Sequence, residues 1–245
     1  MQFSKHLTFL LLICHSLSLS SQIVNIESKR QSDEKGWSGL TEFSFDYNKS
    51  TQIDWEFCNT TYFQWDNNNL SILLLNEINF DRGGGIDFSN DGYQHLRLSK
   101  ILNKASSIET FIQNQYDPVR NIKNRQLAGL GIRMKLKNFG SVGQATFYEK
   151  ELLTNDLEIN DLRLSTSIQL RYIFDNSLSF TTTNYYQPVI LDFSDYKISN
   201  ETTLLVNISE KIALSTTFSF SYDTKPAISI PKLIYNLQNG FIYSF

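Results

Sequence analysis

Few side chains in this sequence could do chemistry. His95 is the only histidine after residue 21, and it shares strand parity with Arg97 and Ser99. A Ser–His lipid hydrolase would need such a base, able to exchange a proton near neutral pH. No Gly-x-Ser-x-Gly elbow accompanies it. A hydrolase acting on lipid would also turn its pair outward, whereas His95 falls on the polar face. No catalytic residue is therefore expected, and His95 reads as a polar interior side chain. Asp81, Asp87 and Asp91 flank Gly83-Gly84-Gly85. Their spacing is not that of an EF-hand, and the glycines are not a phosphate loop. A solvated loop is the plain reading, and weak calcium binding or cation-bridged lipopolysaccharide contact the sharper one. No metal ligands and no cofactor are expected. Cys14 lies in an N-terminal apolar run and follows Ile13, where lipidation needs a small residue. Cys58 is the only other cysteine and is expected to be a small buried side chain.

Strands must position these groups, because period two dominates after Gly36. From residue 211 to 223, Ile212, Leu214, Thr216, Phe218, Phe220 and Tyr222 share one face, while Ser215, Ser219, Ser221 and Asp223 share the other. Leu162, Leu164, Ile168, Leu170 and Tyr172 oppose Arg163, Gln169 and Arg171. Ile53, Trp55, Phe57 and Phe63 oppose Asp54, Glu56 and Gln64. These runs are longer than usual soluble strands. They also exceed the roughly 9–11 residues that a tilted strand needs to cross a bilayer. Twelve segments are predicted, at 36–47, 53–65, 69–80, 93–103, 106–116, 122–136, 140–150, 160–174, 177–188, 195–206, 211–223 and 232–245. An even number fits a single-chain up-and-down membrane barrel. Short turns alternate with longer connections at 81–92, 117–121, 151–159, 189–194 and 224–231. Parity is unclear in 69–80, where Leu73 and Leu75 oppose Ile72 and Leu74, and in 140–150. A soluble sandwich or lipocalin-like barrel would share the alternation with its apolar face inward. The strand length and the charge on the polar face favour the membrane barrel.

That polar face carries both signs: Asp54, Glu56, Glu77, Arg97, Glu109, Arg133, Lys135, Arg163, Arg171, Lys197, Glu201, Lys211 and Asp223. Like-signed rings would imply ion selectivity. Mixed signs more often pair and fill a narrow interior. Twelve strands leave room for either a filled lumen or a narrow pore.

The ends agree with an exported barrel. Residues 1–21 read as a signal peptide, with a short apolar run from Leu7 to Cys14, small residues after it and cleavage at Ser20 or Ser21. Residues 22–35 are expected as an exposed periplasmic lead, and 36–245 as the barrel. A net charge of -3 argues against nucleic acid. Mean hydropathy is -0.27, which is uninformative for strands that are apolar on one face only. The last residues alternate, with Asn239, Phe241, Tyr243 and Phe245 on one face. Gly240, Tyr243 and Phe245 resemble the C-terminal signal that assembly machinery reads on outer-membrane barrels.

One stretch resembles a known family. Tyr185-Tyr186-Gln187-Pro188, followed by Asp192-Phe193-Ser194-Asp195-Tyr196-Lys197-Ile198-Ser199, is similar to the signature of domain of unknown function 481, the salt-induced outer-membrane protein family. Gly36-Trp37-Ser38-Gly39, His95-Leu96-Arg97, Glu109 to Tyr116 and Leu127 to Gly131 resemble other parts of it. The resemblance implies an outer-membrane barrel and supplies no activity or catalytic residue. Tyr185, Tyr186, Pro188, Asp192, Phe193, Asp195 and Tyr196 become the candidate loop or lumen motif. The expected location is the outer membrane of a Gram-negative-type cell. The expected partners are outer-membrane lipid, lipopolysaccharide, the assembly machinery and small solutes or ions. Three functions follow in order: a narrow pore or envelope barrel tied to salt or osmotic stress, a closed-lumen barrel acting through its loops, and a lipid-modifying enzyme.

Overall fold

The computed structural model describes Asn25–Ile26 and residues 35–243, apart from 50, 138, 175–176 and 210–211. Twelve antiparallel strands follow one another in sequence order across one sheet. They are β1 (Gly36–Lys49), β2 (Ile53–Asp66), β3 (Leu70–Gly83), β4 (Ile86–Ile101), β5 (Ser106–Asp117), β6 (Ile122–Lys135), β7 (Gly140–Leu153), β8 (Glu158–Ile173), β9 (Leu178–Val189), β10 (Asp192–Asn207), β11 (Ile212–Asp223) and β12 (Leu233–Tyr243). All twelve predicted segments are strands. The expected loop over 81–92 is not found: β3 and β4 run on to a two-residue turn at Gly84-Gly85. Both glycines have positive φ, +59° and +86°, the conformation that tight hairpin turns require. The polar residues that looked like a loop, Ser89 and Asp91, are inward-facing strand residues joined by a 2.7 Å hydrogen bond.

The sheet curls into an up-and-down barrel. Lys197 on β10 meets Glu149 on β7. At the loop end, Asn121 Nδ2 (between β5 and β6) donates across the mouth to the Ile228 carbonyl (between β11 and β12) at 2.9 Å. β1 and β12 are the sheet edges, and no ladder joins their described residues.

The outward face is mostly apolar between two aromatic girdles, with carboxamides at Asn59, Asn76, Gln94, Asn184 and Asn200. Trp37 packs on Phe63 and Trp65 at the turn end, while Tyr196 packs between Tyr186 and Tyr222 at the loop end. Trp55 and Trp65 mark the two girdles on β2. Ten residues of strand span about 33 Å, or roughly 25 Å of membrane normal at a ~40° tilt, the height of the apolar band in such barrels. On β12, Leu233, Tyr235, Leu237 and Phe241 are exposed on this face. Gly240 and Tyr243 of the assembly signal pair with Ser215 and Ile212. Phe245, Lys211 and residues 1–21 lie outside the described residues.

The inward face holds the charges and also an apolar patch. Tyr62, Leu73, Leu75 and Tyr93, on β2, β3 and β4, bury one another together with Ile26. The mixed parity of 69–80 is thereby explained: Ile72 and Leu74 face out, and Leu73 and Leu75 face a filled lumen. The expectation that residues 22–35 are exposed is corrected at its described centre. Ile26 is 3% exposed, and Asn25 donates to Glu201 across the barrel at 2.9 Å. Burial against four apolar side chains is what holds Ile26 inside.

The two faces make opposite demands on charge. Phe218→Arg, at mid-strand on the outward face of β11, is expected to destabilise the lipid-inserted barrel by about 2–4 kcal/mol. Ser219→Arg, one residue away on the lumen side, should fold with little loss. Denaturant unfolding in lipid vesicles measures both, and equal costs would refute the assigned faces.

Candidate functional site

The loop-end half of the lumen is built around one carboxylate. Glu149 projects inward from β7 and is 1% exposed. Arg125 on β6 reaches Oε1 at 2.5 Å, Arg163 on β8 reaches Oε2 at 2.5 Å, and Lys197 on β10 reaches Oε1 at 3.1 Å. A second tier completes the charge balance. Glu151 lies 3.6 Å from Arg125 and 3.3 Å from Lys197. Asp161 and Asp195 hold the far side of Arg163 at 2.9 and 3.0 Å, and Asp223 lies 4.0 Å from Lys197. Arg163 Nη1 also donates to the Gln187 carbonyl. Removing such charges from water costs several kcal/mol per ion, and only close pairing with full hydrogen bonding offsets it.

Local sequence makes room for this cluster. Alternation puts residues 125, 149 and 163 inward. Beneath Glu149, Phe147 occupies the lumen beside Phe111, which stacks on His95. Gly129 permits that packing: a Cβ there would stand 2.6 Å from Phe147 Cβ and 2.7 Å from Phe111 Cζ. His95 is 1% exposed; its Nδ1 bonds Gln113 at 3.0 Å and its Nε2 accepts from Arg97 at 3.2 Å. It is a satisfied interior histidine, with Ser99 committed to Glu109 at 3.2 Å.

The structure divides the signature motif among three tasks. Asp195 enters the ion network, aimed inward by a register shift between Asp192 and Tyr196. Tyr186 and Tyr196 join the outward girdle, while Tyr185 faces the lumen beside Gln187. Asp192 sits at the hairpin tip, bonded to Ser194 and, at 2.9 Å, to Lys225. Hydrogen bonds to Asp192 and Asp195 raise the Lys225 ammonium pKa above its usual range. Pro188 is fully buried and Phe193 is exposed. Asp81, Asp87 and Asp91 do not converge: Asp87 pairs with Arg82, and Asp91 bonds Asn79 and Ser89. No group of three metal-ligating side chains occurs among the described residues. Sequence reading missed Arg125, Glu149 and Glu151. Arg125 shares the parity of Arg133 and was legible, but the weak amphipathicity of 140–150 hid Glu149.

Below the network, a cleft of about 70 Å³ lies against Ile26, His95 and Phe147. Below that, a cavity of about 1250 Å³ opens toward the turn end. Lys35, Lys104, Arg133, Lys135, Lys137 and Arg171 line it, against Asp66, Glu109 and Glu201. Glu109 is already held by Arg97 at 2.7 Å, so the described residues of the mouth carry a basic surplus.

An apolar belt outside and a charge-lined interior define a transmembrane β-barrel. The chain belongs to the family described as protein of unknown function, DUF481, which it matches over residues 77–245. Among solved structures it is similar to a NanC porin in a rhombohedral crystal form, at 10% identity and a TM-score of 0.49, covering 85% of this chain and 98% of that one. No curated protein matches it.

Glu149→Gln leaves three cations around a neutral amide. Breaking a buried pair in this way is expected to cost about 3–5 kcal/mol, read from the midpoint of urea unfolding; a loss below about 1 kcal/mol would show that the cations find other partners. The seat of the N-terminal segment is checked separately. In a Cys58→Ser background, a cysteine replacing Ile26 should resist a bulky maleimide until the barrel is unfolded, and rapid labelling of the folded protein would place residue 26 in solvent.

Proposed function

We propose that this is an outer-membrane barrel with a lumen closed at the loop end, serving as an envelope scaffold rather than an open pore. The observation that carries this reading is the Arg125–Glu149–Arg163–Lys197 network, which joins β6, β7, β8 and β10 through one buried carboxylate. Loop contacts support it, since Asn121 reaches Ile228 above the same end. The apolar belt faces lipid, the loop end faces lipopolysaccharide, and the basic cavity faces the periplasm. The assembly machinery is the partner during insertion, through Gly240, Tyr243 and Phe245. No enzymatic step is assigned, because His95 and Ser99 are committed to other partners. A tie to salt or osmotic stress remains part of the proposal and is supported by the family resemblance alone. A second reading, a narrow pore for small anions, is favoured by the basic cavity.

Single-channel recording from the full mature chain in a planar bilayer separates the two. The folded wild-type protein is expected to be silent, and a Glu149→Ala/Arg163→Ala variant that still shows heat-modifiable mobility is expected to give discrete steps. Steady, salt-dependent conductance of the wild type would overturn the closed lumen and establish the pore.

A further inference from the structure

We propose that the outward face of β2–β5 is a contact surface between two copies of this chain, made through a row of carboxamides. Four amides cross these strands in sequence. Asn59 Nδ2 donates to the Glu42 carbonyl at 3.1 Å, Asn76 Nδ2 to Asn59 Oδ1 at 3.0 Å, Gln94 Nε2 to Asn76 Oδ1 at 3.2 Å, and Asn114 Nδ2 to Gln94 Oε1 at 3.3 Å. Each carboxamide carries two N–H donors. Each of these four uses one, so a second donor on every residue has no partner among the described residues, and Asn114 Oδ1 accepts nothing there.

The depth of this row makes that incompleteness matter. Asn59 lies between Trp55 and Trp65, the girdle residues of its own strand, and Asn76 and Gln94 sit at the middle of theirs. All four are half-buried on the same face as Leu74, Leu96 and Ile112. Water would satisfy these donors on a soluble protein. Hydrocarbon cannot, and an unmet donor there costs several kcal/mol. Asn and Gln side chains at such depth instead hydrogen-bond to a neighbouring membrane segment.

A second polar group on the outward face behaves differently. On β9 and β10, Asn200 uses both donors, to Thr182 at 3.1 Å and Asn184 at 2.8 Å, and its carbonyl accepts from Thr202 at 3.0 Å. Asn200 is thus fully used, although Asn184 beside it donates once, to Thr182 at 3.4 Å; in the β2–β5 row all four carboxamides keep a second donor unmet. The row also selects its occupant. It offers donors and acceptors but no charge, so a charged partner would leave an unpaired ion in lipid. A second copy related by a two-fold axis presents the same donors and acceptors in reverse order, as an isologous contact requires. The inference rests on the reading that this face lies in the membrane.

Cysteine crosslinking of the full mature chain in membranes tests it, in a Cys58→Ser background. At least one of Asn59→Cys, Asn76→Cys and Gln94→Cys should form a disulfide-linked dimer on copper–phenanthroline oxidation, at least tenfold more than Asn200→Cys on the β9–β10 face. Absence of the dimer, or equal crosslinking at Asn200, overturns the proposal. Native mass spectrometry of Asn76→Leu/Gln94→Leu should show a dimer-to-monomer shift, and an unchanged dimer or a monomeric wild type overturns it equally. If alkaline washing strips the protein from membranes, the membrane reading falls and this inference with it. If the protein stays integral and heat-modifiable without the crosslink, this inference alone falls.

Discussion

Charge has only one place to go in this molecule. A strand that crosses a bilayer presents alternate residues to lipid, where a charged side chain costs a few kcal/mol at mid-depth. Apart from the exposed Lys123, Lys150 and Glu158 at the loop rim, the ionisable residues of β6, β7, β8 and β10 therefore point into the lumen, and in a narrow lumen they must satisfy one another. Glu149 is where that requirement converges, with Arg125, Arg163 and Lys197 on its two oxygens. The outward girdle, the bulge that aims Asp195 inward and the loops above all hold groups around this arrangement.

The rest of the interior is filled by means other than charge. Ile26 covers Tyr62, Leu73, Leu75 and Tyr93 in the middle of the barrel, and Asn25 ties the same segment to Glu201 on the opposite wall. Phe111 and Phe147 fit only because Gly129 lies beneath them. The lumen is thus layered: ion pairs at the loop end, apolar packing at mid-height, and a basic aqueous mouth at the turn end. Such layering suits a closed barrel, since a conducting path would need continuous water past both upper layers.

The fold was almost wholly legible in the sequence because the period-two signal is set by lipid on one side, a solvent that tolerates few exceptions. The exceptions that misled the reading of 69–80 lie on the lumen side. Leu73 and Leu75 broke the alternation because a segment distant in sequence packs on them, and no local pattern reports that contact. The stretch 81–92 read as a loop because its Gly, Asp and Ser residues mimic turn chemistry, although only Gly84 and Gly85 turn. The candidate site was half legible. Arg163, Lys197 and Asp223 could be placed inward by parity. Their convergence on Glu149 depends on the curl of the sheet, which brings β7 and β10 together and leaves no mark in the sequence.

The network also answers a question that the apolar face cannot. An odd-numbered slip between strands would turn charges into lipid and is excluded by the outward face alone. A slip of two residues leaves every side chain on its own face, and lipid is indifferent to it. It moves one strand about 6.6 Å along its neighbour, well beyond ion-pair reach. Arg163 is engaged at once by Glu149 on β7 and Asp195 on β10, and Lys197 by Glu149 and by Asp223 on β11. Shifting β8 or β10 in either direction therefore strands a buried charge. Lipid sets the faces of the strands, and paired charge in the lumen sets their register.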